Sequence, residues 1–201
     1  MGMVLDCVVP AAGASSRMGE WKPLLPWGEG RIIDAVLACV EAAGLRPVVV
    51  AGYRGEELRR HLEARQGLLV VDNPLWKEGM LGSVLRGALE ARGEAFFVAP
   101  ADMPGLRPGV FAALLAAFVE GGAETLFPAY RGEAGHPVLI SRSLIPEMGR
   151  LGPGSKLRDF LRRGSWRLVE TGEAAVLADL DTREDYERGL RGLTPGARGG
   201  A

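Results

Sequence analysis

The sequence predicts an α/β protein: a single domain built on a doubly wound, mostly parallel sheet with a small β excursion. Short apolar runs alternate with helical stretches of about ten residues, the rhythm of right-handed βαβ crossovers. The first apolar run is nearly continuous, as befits a strand buried on both faces, and it ends in glycine-rich sequence. A chain of 201 residues is most simply one domain, able to bury about two-thirds of the surface its unfolded form exposes.

In order, Val4–Pro10 reads as a strand, Ile32–Ala43 as a helix, Pro47–Ala51 as a strand, Glu56–Ala64 as a helix and Leu68–Val71 as a strand. A helix at Leu81–Ala91, a strand at Ala95–Ala99 and a helix at Pro108–Val119 continue the pattern. The rhythm changes after Gly121. Thr125–Tyr130 and His136–Ile140 are extended segments flanking the turn-rich "RGEAG", a hairpin-like excursion placed to meet a second substrate. A helix at Ser155–Arg163, strands near Trp166–Val169 and Ala175–Ala178, and a helix at Thr182–Leu190 complete a domain over 1–193. The Gly/Pro-rich 194–201 reads as a flexible tail.

With 24 basic and 25 acidic residues, a net charge of -1 gives no bulk field toward nucleic acid or a membrane, so any anion must be bound locally. Cys7 and Cys39 lie in apolar runs without metal or redox spacing, and the longest apolar stretch, Val110–Val119, is too short to span a bilayer. The expectation is a cytoplasmic protein.

The chemistry concentrates in "VVPAAGASSRMGEWKPLLP". Gly13, Ala14, Ser15 and Ser16 leave the strand without bulk, so backbone N–H groups can approach phosphate oxygens, while Arg17 and Lys22 supply charge. The spacing is neither a Walker A loop nor a dinucleotide fingerprint. In "VAPADMPGL", Asp102 follows a strand at the same sheet edge and suits a divalent cation bridging phosphates, since magnesium takes one or two carboxylates and fills its other positions with water and substrate. In "ADLDTREDY", Asp179 and Asp181 follow another expected strand, and either could complete a cation site with Asp102. Thr182 is placed to cap the next helix, with Glu184 and Asp185 as first-turn acids. Trp21, Trp27 and Trp76 could stack on a ring or cover a core edge.

In this order and at these separations, "PAAGASSRMGEWKPLLP", "NPLWKEGMLGSV", "VAPADMPGL", "GHPVLI" and "DLDTREDY" resemble the MobA-like nucleotidyltransferases of molybdenum cofactor biosynthesis, and among them the cytidylyl branch. The resemblance implies a Rossmann-like fold of the nucleotide-diphospho-sugar transferase type. It also implies Mg²⁺-dependent transfer of CMP from CTP to the phosphate of molybdopterin, with release of pyrophosphate. Carried over by motif, Ala11, Ala12, Gly13 and Ser15 bind the nucleotide with Arg17 and Lys22 at the triphosphate, and Asn73 and Ser83 lie near base and ribose. Asp102 and Asp181 hold the metal, His136 faces the acceptor, and Lys22, Arg17 and Asp102 are the catalytic set. Partners follow in kind: a nucleoside triphosphate, a phosphorylated pterin-type acceptor and transient contact with molybdoenzyme maturation proteins.

Where guanylyl members often read "LAGG" this chain reads "PAAG", so that Ala12 puts a methyl beside the base site. "GPGSKLRDFL" stands where cytidylyl members often carry "GDxGAR". Guanylyl transfer and sugar-phosphate nucleotidyl transfer are the neighbouring activities, and a nucleotide-binding regulatory module is the non-enzymatic alternative. Lys22, Asp102 and Asp181 together weigh against the last, because a pure binder has little need of an acidic pair at the phosphates.

Overall fold

A computed structural model describes residues 5–15, 18–152 and 154–193. Strand β1 (Asp6–Pro10) is followed by a two-stranded ribbon, β2 (Pro26–Trp27) and β3 (Gly30–Arg31), and then by α1 (Ile32–Ala42), β4 (Arg46–Ala51), α2 (Gly55–Leu62) and β5 (Leu69–Asp72). Next come α3 (Met80–Ala88), β6 (Ala95–Val98) and α4 (Pro108–Val119), then β7 (Thr125–Tyr130), β8 (Glu133–Ala134) and β9 (Val138–Ser141). Helices α5 (Ile145–Met148) and α6 (Leu157–Leu161), strand β10 (Trp166–Glu170) and helix α7 (Arg183–Leu193) close the described chain.

The sheet runs β10-β7-β9-β6-β1-β4-β5, with β8 paired to β7. β1 pairs in parallel with both β4 and β6, β5 continues parallel beyond β4, and β7 pairs in parallel with β10. β9 is antiparallel to both β6 and β7. The expected excursion therefore closes into the main sheet, with β8 adding a short antiparallel pairing to β7.

The alternation of side chains along each strand feeds two cores. Cys7 and Val9 of β1 pack with Val36, Leu37 and Val40 of α1 and with Leu114 of α4, whereas Val8 packs on the other face with Val84 of α3, Met148 of α5 and Phe160 of α6. Phe97 and Phe96 of β6 divide in the same way. This explains why the central strands read as unbroken apolar runs. Both cysteines are buried, which raises the thiol pKa of each, that of Cys39 to about 11. At the amino-terminal edge the fully buried Asp6 carboxylate accepts hydrogen bonds from Arg46 Nε and Nη2 at 2.7 and 2.8 Å and from Arg92 N at 2.8 Å.

Several expectations need correction. Ala175–Ala178 is not a strand: Ala174–Leu177 forms a 3₁₀ turn, in keeping with an alanine-rich segment whose single β-branched residue, Val176, is buried. The Val176 carbonyl accepts the His136 N–H at 2.8 Å instead of joining a ladder. Helix α6 is shorter than expected, α3 ends at Ala88, and α7 runs on to Leu193. Val4, Ser16, Arg17 and the 194–201 tail lie outside the described residues. Among the described residues no helix is long and apolar enough to cross a membrane.

Candidate active site

β1 lies between β4 and β6, so the chain leaves the carboxyl ends of β1 and β6 in opposite directions and opens a crevice between them. The loop after β1 is pinned there by backbone bonds: Ala11 N–H donates to Val50 O at 2.9 Å, and Ala12 O accepts from Tyr53 N at 3.0 Å. A cleft of about 280 Å³ fills the crevice, lined by Ala11, Ala12, Gly13, Ser15 and Lys22 from the first loop and by Ser83, Asp102 and Asp181 from three others.

Lys22 sits at the start of a 3₁₀ turn (Lys22–Leu24), between Trp21 and Pro23, which are themselves buried. Its backbone N–H donates to Ser15 Oγ at 3.2 Å, and Ser15 adopts a left-handed φ of 54° to close this turn. Its ammonium donates to Asp102 Oδ2 at 2.9 Å and to Asp181 Oδ1 at 3.1 Å. The two acids are held relative to each other by main chain, since Leu180 N–H donates to Asp102 O at 3.0 Å.

Helix α7 then fixes the far side. Thr182 and Asp185 exchange hydrogen bonds as a capping box, with Asp185 N–H donating to Thr182 Oγ1 at 3.1 Å and Thr182 N–H donating to Asp185 Oδ2 at 2.9 Å. Arg183 pairs with Glu20, and Tyr186 O–H donates to Pro26 O at 2.7 Å, so the helix clamps the loop that carries Lys22. Burial, reinforced by Asp181 and Asp102, raises the pKa of the Asp179 carboxyl.

Asn73 stands behind the cleft. It donates from Nδ2 to Ser83 Oγ at 2.9 Å and accepts Leu75 N–H on Oδ1 at 3.0 Å, bracing the turn that leads into α3. His136 is half-buried in an adjoining pocket of about 180 Å³ with Phe127, Val138, Leu157 and Arg158, and Met80 lines both cavities. Burial lowers the His136 pKa, with Asp102 opposing and Arg158 assisting that shift.

Sequence reading missed Met80 and Gly79 as lining residues, and it left Trp76 open. Trp76 lines the cleft, and its Cβ, with that of Ala12, would lie 2.7 Å from any Cβ added at Gly52. Trp76 packs on Tyr53, which packs on Trp21, at centroid distances of 5.5 and 6.3 Å. Trp27 lies away from the cleft, against Tyr186 and Gly189.

Among the described residues no group of three or more His, Cys, Asp or Glu side chains gathers as a metal centre. The convergent pair Asp102 and Asp181 nevertheless fits a hard dication that completes its shell with water and phosphate oxygens, and both carboxylates already share one cation, the Lys22 ammonium.

Known proteins resemble this chain in sequence and in fold. Residues 7–171 match the MobA-like NTP transferase domain. The molybdenum cofactor cytidylyltransferase of Escherichia coli (strain K12) is 31% identical over 182 residues, covering 90% of this chain and 93% of the relative. The molybdenum cofactor guanylyltransferase of Xanthomonas euvesicatoria pv. vesicatoria is 38% identical over 109 residues, 54% of this chain and 52% of that protein. Rv0371c of Mycobacterium tuberculosis H37Rv superimposes with a TM-score of 0.82 at 25% identity, covering 95% of this chain and 100% of that one. The same mycobacterial protein in complex with manganese superimposes at 0.78 with 22% identity, covering 94% and 99% of the two chains. By family match and by near full-length likeness, this chain belongs to the MobA-like NTP transferases and is a nucleotidyltransferase.

Proposed function

We propose that this chain transfers CMP from CTP to the phosphate of a molybdopterin-type acceptor in the cytoplasm, releasing pyrophosphate. The observation that carries the transfer chemistry is Lys22 held between Asp102 and Asp181 at the switch point of the sheet, beside a loop of small residues. The choice of CTP is supported by the buried Ala12 methyl in the cleft wall and by likeness to a cytidylyltransferase over nine-tenths of both chains.

A phosphate monoester has its second pKa at about 6, so the acceptor is largely a dianion at neutral pH and needs no strong base. One of its oxygens forms the new bond to the α-phosphorus as the bond to the bridging oxygen of pyrophosphate breaks in line, and the electron pair leaves with pyrophosphate. The protein's task is alignment and neutralisation. In this reading amides of the 12–15 segment and the Lys22 ammonium meet the phosphates, Arg17, outside the described residues, adds charge, and Ser83, braced by Asn73, borders the nucleoside. Magnesium held by Asp102 and Asp181 would supply Lewis-acid neutralisation of the phosphates. His136, kept neutral by its surroundings, faces the acceptor from the adjoining pocket.

Thermal shift with CTP, GTP, ATP and UTP, each with and without Mg²⁺, tests the nucleotide assignment. A magnesium-dependent shift greatest for CTP is expected. A preference for GTP would move the activity to the guanylyl branch.

A further inference from the structure

The Lys22 ammonium occupies the space between the two acids that a bridging metal would need. It lies within hydrogen-bond distance of both carboxylates, and its side chain is only 8% exposed. We infer that Lys22 closes the acidic pair to free divalent cations, so that the site accepts a metal–triphosphate complex as one unit and not the bare ion. This concerns ligand entry to the site proposed above and rests on that reading.

The geometry forces the exclusion. A magnesium ion binds carboxylate oxygens at about 2.1 Å, so an ion bridging these two acids would meet the ammonium at contact distance unless the lysine left. Leaving is costly on its own. The backbone at Lys22 is tied at both ends, its N–H to Ser15 Oγ and its carbonyl to Leu25 N–H, and Pro23 stiffens the turn between. A displaced ammonium would remain inside the cleft, where Asp102 and Asp181 are the only carboxylates among the described lining residues. Without a new anion it would be a buried charge with no partner.

A triphosphate provides that anion as it delivers the metal. The reverse also follows: triphosphate without metal would draw Lys22 away and leave Asp102 and Asp181 facing phosphate oxygens. Coupling between two ligands is reciprocal, so each should bind poorly without the other.

Binding of Mn²⁺ followed by electron paramagnetic resonance reads this without turnover. Wild-type protein should bind free Mn²⁺ weakly and more tightly when CTP is present. Lys22→Met and Lys22→Gln, each checked for folding by circular dichroism, should bind free Mn²⁺ at least about tenfold tighter than wild type, since a neutral side chain no longer competes for the acids. Adding Asp102→Asn to Lys22→Met should abolish the gain. The inference is overturned if folded Lys22 variants bind free Mn²⁺ no better than wild type, if the gain survives Asp102→Asn, or if wild type already binds the free ion as tightly as it does with CTP. The last comparison needs no variant to fold. If the variants gain Mn²⁺ affinity and CTP raises that of wild type, yet no CMP adduct forms with a molybdopterin acceptor, the exclusion by Lys22 stands and the nucleotidyl-transfer reading falls instead.

Discussion

Lys22 Nζ lies 2.9 Å from Asp102 Oδ2 across 80 positions of sequence, joining the loop after the first strand to the loop after β6. That contact exists because β1 and β6 are parallel neighbours, which brings the ends of two strands distant in sequence to one edge.

Removing either partner should disable transfer without unfolding the protein. Asp102→Asn is expected to lower kcat by about 10²-fold or more, the range seen when a preorganised charge at a reacting centre is lost. Its melting temperature should stay near wild type, because the Asp102 side chain is partly exposed and its backbone bond to Leu180 persists. Lys22→Ala should raise KM for CTP as well as lower kcat. Steady-state kinetics on folded variants check both, and near-normal turnover by Asp102→Asn with Mg²⁺ would remove that carboxylate from the site.

The folded-state pKa of His136 lies below 6.5, chiefly through burial. Between those two values the unfolded chain holds a proton that the folded chain does not, so stability rises with pH in that window. The contribution is fully present above 6.5 and is lost as pH falls through the folded pKa. Asp179, whose carboxyl pKa is raised above 3.8, acts in the opposite sense just above that value, where folding favours the protonated form. Denaturant titrations from pH 5 upward should show the His136 slope flatten in His136→Gln; identical slopes in both proteins would refute the assignment.

Asp6 has no part in the chemistry proposed, yet it should matter to stability. The fully buried carboxylate holds Arg46 and the Arg92 amide at the edge opposite the site. Asp6→Ala leaves the half-buried Arg46 without its partner and should cost about 3 kcal/mol in urea unfolding. A loss under 1 kcal/mol, the order of an exposed pair, would show that water reaches this edge.

Gly135→Ala tests how tightly the adjoining pocket is built. An added Cβ would lie 2.1 Å from the Val176 carbonyl oxygen, which also accepts the His136 N–H. Backbone must move, so we expect a loss of about 2 kcal/mol and weaker acceptor binding with CTP affinity little changed. Wild-type stability in this variant would mean that the 3₁₀ turn yields freely.

The sequence was most readable where burial sets the pattern. β1, β4 and β6 are covered on both faces, so their apolar runs announce them, and the loop that follows β1 shows its use because small residues and cations have little other reason to stand together there. Less legible were elements decided by contacts from afar. The Ala174–Leu177 turn answers to His136 and Gly135, and the insertion of β9 between β6 and β7 depends on pairings that local periodicity does not encode. The sequence places Asp181 just after a strand; it reaches Lys22 from beyond a 3₁₀ turn instead, positioned by Leu180 and by the cap of α7. Trp76 owes its place in the cleft to the absent side chain of Gly52, a relation only the folded chain displays.

The most direct test is to incubate the protein with Mg²⁺, molybdopterin and each nucleoside triphosphate in turn, and to measure both pyrophosphate and the nucleotide-bearing product. The account predicts stoichiometric pyrophosphate and a CMP adduct with CTP, with far less product from GTP, ATP or UTP. A GMP adduct in preference to CMP, or no pyrophosphate with any nucleotide, would contradict it.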